Sequence, residues 1–197
     1  MQKNIITYNG KEVIFYSEPS SAAKPSIVLM HGYSFNSEIW EKTGVVDALK
    51  GNFNIIALDV PGFPRSANQF DMPEEEFLGL VHKIAGTAPG GKVVLLGASA
   101  SGYIAVRFAE LHESDLLAMV LVGPVRLSRK VLSGLSVKIL GIWGSEDKTS
   151  DPKAGSAMLK AAKSAKAEII EGAGHACYID KPKEFIGLLL KFLNSVI

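Results

Sequence analysis

The sequence predicts an α/β fold. The expected architecture is a mostly parallel central sheet of about eight strands, opened by an antiparallel hairpin, with helices on both faces and no substantial cap domain. Three observations carry this expectation. Short aliphatic runs alternate with segments of helical periodicity along the chain. The runs are continuous, without the polar alternation of a sheet that faces water on one side, so they read as strands buried on both faces. At 197 residues, 47% hydrophobic and 21% charged, the chain can bury a sizeable core, and no repeat or composition shift divides it. It reads as a single domain over residues 1–197.

Each element follows from local chemistry. Asn4–Tyr8 and Val13–Ser17 flank Asn9-Gly10, a dipeptide that supplies the positive φ angles of a two-residue hairpin turn. A polar, proline-punctuated connection at Glu18–Lys24 leads to a strand at Ser26–Met30 that stops at His31-Gly32. Ile39, Trp40, Val45, Val46 and Leu49 recur at helical spacing over Glu38–Leu49, and Asn52–Leu58 returns to strand character before Asp59. Pro61-Gly62-Phe63-Pro64-Arg65-Ser66 then breaks regular structure. A helix is expected from Pro73 to about Ala85, with Glu74, Glu75 and Glu76 in the first turn, where the helix dipole favours anions.

The second half repeats the alternation. Pro89–Gly91 feeds a strand at Val93–Leu96, and a helix follows from Ser101 to His112. Leu116–Val122 and Val137–Trp143 are strands, then a helix spans about Pro152–Lys163 and a strand Ala167–Ile170. The last helix begins near Pro182 and presents Phe185, Ile186, Leu189, Leu190 and Leu193 on one face. Between Val122 and Val137 there is only a short basic connection, with Arg126, Arg129 and Lys130. It has no room for a further domain, so a pocket at this edge of the sheet should be shallow and open, favouring small substrates. The three cations read as a solvated face, with the steering of an anionic carrier as the alternative.

Chemistry concentrates where the strand Val93–Leu96 gives way to small residues, Gly97-Ala98-Ser99-Ala100-Ser101-Gly102. A serine on a sharp strand-to-helix turn presents its hydroxyl above the carboxyl edge of the sheet, provided that the residues two before and two after are small. Gly97 and Ser101 meet that need, although the usual G-x-S-x-G has its last glycine displaced to Gly102. Taken alone, the stretch reads equally as a turn that packs or binds phosphate. Two further strand ends supply what a serine nucleophile needs: Asp147 after Trp143-Gly144-Ser145-Glu146, and His175 after Gly172-Ala173-Gly174. An imidazole takes the hydroxyl proton, and a carboxylate holds the imidazole's tautomer and its charged form.

The order Ser, Asp, His, together with His31-Gly32, Asp59-Val60-Pro61-Gly62 with Ser66, and Gly172-Ala173-Gly174-His175, resembles the α/β-hydrolase fold across essentially the whole chain. Ser99-Ala100-Ser101-Gly102-Tyr103 and the tail Gly174-His175-Ala176-Cys177-Tyr178-Ile179-Asp180-Lys181-Pro182 are similar to the small, lidless α/β-hydrolase-domain-containing 14 family. This chain carries Gly97-Ala98 where that family tends to have Ser-Pro. The resemblance implies a Ser99–Asp147–His175 triad in a hydrolase or acyl-transfer enzyme of short acyl groups. It also implies an oxyanion hole from the backbone N–H groups of Ala100 and Tyr33, with Ser34 as the alternative to Tyr33. The activity expected is that of a serine carboxylesterase or thioesterase, with no cofactor and no metal. An acyltransferase and a non-catalytic interaction protein on the same scaffold are the alternatives.

Other residues receive plainer readings. Glu146 and Asp151 compete with Asp147, and Asp151 is also placed to cap the helix that starts at Pro152. Cys177, the one cysteine, reads as buried filler. His31 fixes a loop, His82 lies on a helix face and His112 ends a helix; none has metal-ligand spacing along the chain. Asp59 and Ser66 brace the loop around Pro61. A net charge of +1 without a basic block argues against nucleic acid, and no apolar stretch is long enough to span a membrane. Without a secretion-signal core at Met1–Tyr8, a cytoplasmic location is expected. The expected partner is a small-molecule acyl substrate.

Overall fold

The computed structural model describes residues 1–18, 21 and 24–196. Pro19, Ser20, Ala22 and Ala23, within the Glu18–Lys24 connection, lie outside the described residues. Among the described residues eight strands form one sheet: β1 (Gln2–Tyr8), β2 (Lys11–Ser17), β3 (Ser26–Met30), β4 (Asn54–Leu58), β5 (Val93–Ala98), β6 (Leu116–Val122), β7 (Lys138–Gly144) and β8 (Ala165–Ile170). Their spatial order is β1-β2-β4-β3-β5-β6-β7-β8. The β1–β2 hairpin and the β2–β4 pair are antiparallel, and every pair from β4 to β8 is parallel. The expected α/β architecture is borne out, hairpin included. Asn9 and Gly10, at φ 47° and 75°, make the turn that closes the hairpin.

The helices are α1 (Ile39–Lys42), α2 (Val45–Leu49), α3 (Glu74–Gly86), α4 (Ala100–His112), α5 (Arg129–Gly134), α6 (Pro152–Leu159), α7 (Cys177–Asp180) and α8 (Pro182–Leu193). Every residue of β3, β4 and β5 is buried, as continuous aliphatic runs require, and alternate side chains feed two separate cores. Val28, Met30 and Leu95 pack with α3 and α4 through Phe77, Leu80 and Phe108. Ile27, Leu29 and Leu96 pack on the other face with α1, α2 and α8 through Trp40, Leu49 and Phe185. Truncating one of these side chains to alanine costs about 2–5 kcal/mol.

Several boundaries differ from the sequence expectation. The helix over Glu38–Leu49 is two helices, because Gly44 sits at φ 77°, a left-handed conformation that a right-handed helix cannot pass through. Trp40, Val45, Val46 and Leu49 are buried all the same. β4 starts at Asn54, since the Phe53 N–H is taken by the Leu49 carbonyl in the turn that closes α2. The helix from Pro152 ends at Leu159, and β8 begins at Ala165, where it pairs with Ile139 of β7. The connection after β6 folds Arg129 and Lys130 into α5, six residues capped by the Ser128 hydroxyl, which accepts from Val131 N–H at 3.4 Å, and leaves Arg126 in the loop before it. Among the described residues no cap domain stands over the sheet. Parallel pairing brings the carboxyl ends of β3, β5, β6, β7 and β8 to one edge, where such sheets hold ligands.

Candidate active site

Ser99 sits between the end of β5 and the start of α4 at φ 54°, ψ −114°, a conformation rare for a residue with a Cβ. Its N–H donates to the Val122 carbonyl (2.8 Å), so the turn is clamped to β6. Tightness explains the small neighbours. A Cβ on Gly97 would collide with the carbonyl oxygen of Ser101, and one on Gly102 would come within 2.9 Å of the Pro124 Cβ. The side chain of Ser101, which stands where a glycine is usual, is buried and donates from Oγ to the His31 carbonyl at 2.6 Å. The displaced glycine is thus compensated: Gly102 gives the close approach to Pro124, and Ser101 ties the elbow to the end of β3.

His175 follows β8 and reaches both other residues. Its Nε2 lies 2.8 Å from Ser99 Oγ and its Nδ1 2.7 Å from Asp147 Oδ2. The Asp147 side chain is fully buried, and its Oδ1 accepts from the N–H groups of Thr149 and Ser150, each at 2.8 Å. Each such charge-assisted bond contributes about 1.5–3 kcal/mol, which together offsets much of the cost of holding the carboxylate out of water. The sequence alternatives are accounted for elsewhere. Glu146 is exposed, and Asp151 accepts from Lys153 N–H at 2.9 Å as the N-cap of α6.

The loops on either side are braced. His31 is wholly buried; its Nδ1 donates to the Gly32 carbonyl and its Nε2 accepts from Val60 N–H, both at 2.9 Å. Burial pushes its pKa down, against the opposing pull of the Gly32 carbonyl and Asp59. Asp59 accepts from Ser37 and Ala67 N–H (2.7 and 2.8 Å), and Ser66 Oγ accepts from Asn68 N–H (3.0 Å). The Cys177 thiol is buried, and burial raises its pKa to about 12, which suits filler and not a nucleophile.

Sequence reasoning missed three supports. Gly123, at φ 49°, lies against the His175–Asp147 pair: a Cβ there would stand 3.0 Å from His175 Nδ1 and 3.1 Å from Asp147 Oδ2. Asp180 accepts from Gly174 N–H at 2.8 Å and so shapes the loop that carries His175. Asn68 exchanges bonds with the Ile14 N–H and C=O (2.7 and 2.9 Å), standing in for a strand residue beside β2. Asp147 followed by Thr149-Ser150 carries the signature of an Asx turn, which is the one signal in the sequence that points to Asp147 over its neighbours.

A cavity of about 260 Å³ opens over Ser99 and His175, with Phe35, Ala98, Val122 and Tyr178 among its walls. Tyr33 and Ser34 also line it. They are the two central residues of a turn closed by Phe35 N–H on the Gly32 carbonyl (3.0 Å), a bond that uses neither of their own N–H groups. Ala100 starts α4, in the first turn whose N–H groups have no acceptor within the helix. The edge of the cavity can therefore offer donors to a developing negative charge beside a hydroxyl backed by an imidazole.

Comparison with known proteins gives this geometry a context. The family model described as the α/β hydrolase fold matches residues 25–135. ABHD14B of Rattus norvegicus, whose name proposes a protein-lysine deacylase, is 29% identical over 187 residues, covering 89% of this chain and 86% of that one. A pimeloyl-acyl-carrier-protein methyl ester esterase from Vibrio atlanticus is 33% identical over 98 residues, 50% of this chain and 35% of that one. The crystal structure described as a predicted CIB-like hydrolase from Thermoplasma acidophilum superposes with a TM-score of 0.88 at 28% identity, covering 98% of both chains.

Proposed function

The chain belongs to the α/β-hydrolase family, and from that premise we propose that it is a serine hydrolase acting on short-chain carboxylic esters or thioesters. The observation that carries the reading is the continuous line of bonds from Ser99 Oγ through His175 to Asp147 at the floor of an open cavity. Ser99 Oγ attacks the acyl carbon as its proton passes to His175 Nε2. Asp147 keeps the other ring proton on Nδ1 and stabilises the imidazolium. The oxyanion is held by the N–H groups of Ala100 and Tyr33, a donor pair of which each member contributes about 3–4 kcal/mol. His175 then returns the proton to the leaving alkoxide or thiolate. Water, deprotonated by the same ring, releases the acid from the acyl-enzyme.

A second substrate class is suggested by one relative. A name that proposes lysine deacylation points to an acyl-lysine amide as substrate; separately, the same acyl-enzyme would serve an amine or thiol acceptor in place of water. Product analysis with acetyl donors, with and without a thiol acceptor, separates hydrolysis from transfer.

The test of the main reading is p-nitrophenyl acetate turnover by wild type and Ser99→Ala. Activity is expected to fall to background in the variant, and an unchanged rate would remove Ser99 from the mechanism. Labelling by a fluorophosphonate probe distinguishes a working nucleophile from a scaffold that only binds.

A further inference from the structure

At the far end of α4 from the serine, three potential ligand atoms converge. His82 stands on the outer face of α3, His112 is the last residue of α4, and Asp115 closes the single 3-10 turn Glu113–Asp115 that follows. His82 and His112 stack with ring centroids 4.3 Å apart and planes 17° from parallel. His82 Nδ1 lies 2.8 Å from Asp115 Oδ2. One ligand atom from each of the three residues lies within 4.8 Å of the other two. We propose that His82, His112 and Asp115 form a surface site for a divalent transition metal, with zinc the ion that fits best.

The chemistry of the donors argues for this ion class. Two imidazoles and one carboxylate form a borderline set that suits zinc, nickel or copper; magnesium and calcium favour oxygen. Ligands bound to zinc at about 2.0–2.2 Å in a tetrahedral arrangement stand roughly 3.3–3.5 Å apart. Rotation about side-chain torsions would bring the present spread to that distance, since His82 is exposed and the other two are half-buried. A fourth position is left to water. Ser114 Oγ donates to Asp115 Oδ1 at 3.2 Å, which leaves Oδ2 to face the imidazoles, and the His112 ring is packed against Phe108 at 5.0 Å. The carbonyl end of the α4 dipole adds an attraction for a cation. The ion would clamp α3 to the end of α4, about 20 Å along that helix from Ser99, so the site is separate from the hydrolytic one.

Metal-free protein titrated with zinc chloride in a calorimeter is expected to bind one zinc ion per chain. His82→Ala, His112→Ala and Asp115→Asn should each weaken binding at least about tenfold, the loss seen when even a supporting residue of a metal site is removed. His175→Ala should bind zinc as wild type does. Zinc should also raise the melting temperature of wild type and not of the three variants, while magnesium does neither. The proposal is overturned by absence of zinc binding, by magnesium binding equally well, by unchanged affinity in the three variants, or by loss of affinity in His175→Ala instead.

Discussion

Ser99 shows how much depends on one backbone conformation. Its positive φ is sustained by the Val122 carbonyl on one side and the Ser101–His31 bond on the other, and that strain is what aims Oγ at His175. On the proposed mechanism Asp147 is a positioning residue. In Asp147→Asn an amide NH₂ can face Nδ1, so the ring adopts the other tautomer and Nε2 can no longer accept the serine proton. We expect kcat on p-nitrophenyl acetate to fall by about 10⁴. The fold should be retained, since the remaining oxygen still accepts from Thr149 and Ser150. An undiminished kcat would remove Asp147 from the relay. His31 makes a prediction about pH. Its folded pKa lies below the ordinary 6.5, so the unfolded chain binds a proton that the native protein refuses. This contribution to stability is complete above pH 6.5 and is lost as the pH falls toward the folded pKa, with a slope of at most about 1.4 kcal/mol per pH unit. Urea unfolding at a series of pH values should show that slope in wild type and a flatter one in His31→Gln.

At the scale of elements, two sites separate architecture from chemistry. Asp151 caps α6 through its bond from Lys153 N–H. Asp151→Ala should lower stability by about 1 kcal/mol and leave the esterase rate unchanged. A collapse of the rate would exchange its role with that of Asp147. Gly97→Ala tests the elbow, where the added Cβ meets main chain that cannot give way. Loss of the fold, or of fluorophosphonate labelling in a protein that still folds, is the expected result. The elements themselves were legible wherever a strong pattern ran long. The continuous aliphatic runs of β3, β5 and β6 and the apolar face of α8 came out in the right places. The pattern failed where one residue overrides it, as at Gly44, and where an element is too short for a period to register, as in α5 and α7.

At the scale of the molecule, the small cavity, with no cap domain over it among the described residues, bears on the proposed substrate. At about 260 Å³ the cavity lies just below the range of typical ligand pockets, about 300–1,000 Å³. On the proposed reading, its apolar walls at Phe35, Val122 and Tyr178 would seat a short acyl group. Across p-nitrophenyl esters, kcat/KM should fall from acetate to octanoate, and a steady rise with chain length would overturn the short-acyl reading.

By itself the sequence determined the alternation of strands and helices, the hairpin at Asn9-Gly10, and the three chemical types at the ends of β5, β7 and β8. These rest on local forces: side-chain period, turn stereochemistry and the need of a tight elbow for small residues. Only the tertiary structure decided which carboxylate meets His175, what Gly123 does, and that His82, His112 and Asp115 share one corner. Residues tens of positions apart become neighbours through parallel strand pairing and the packing of α3 on α4, and no spacing along the chain records that distance.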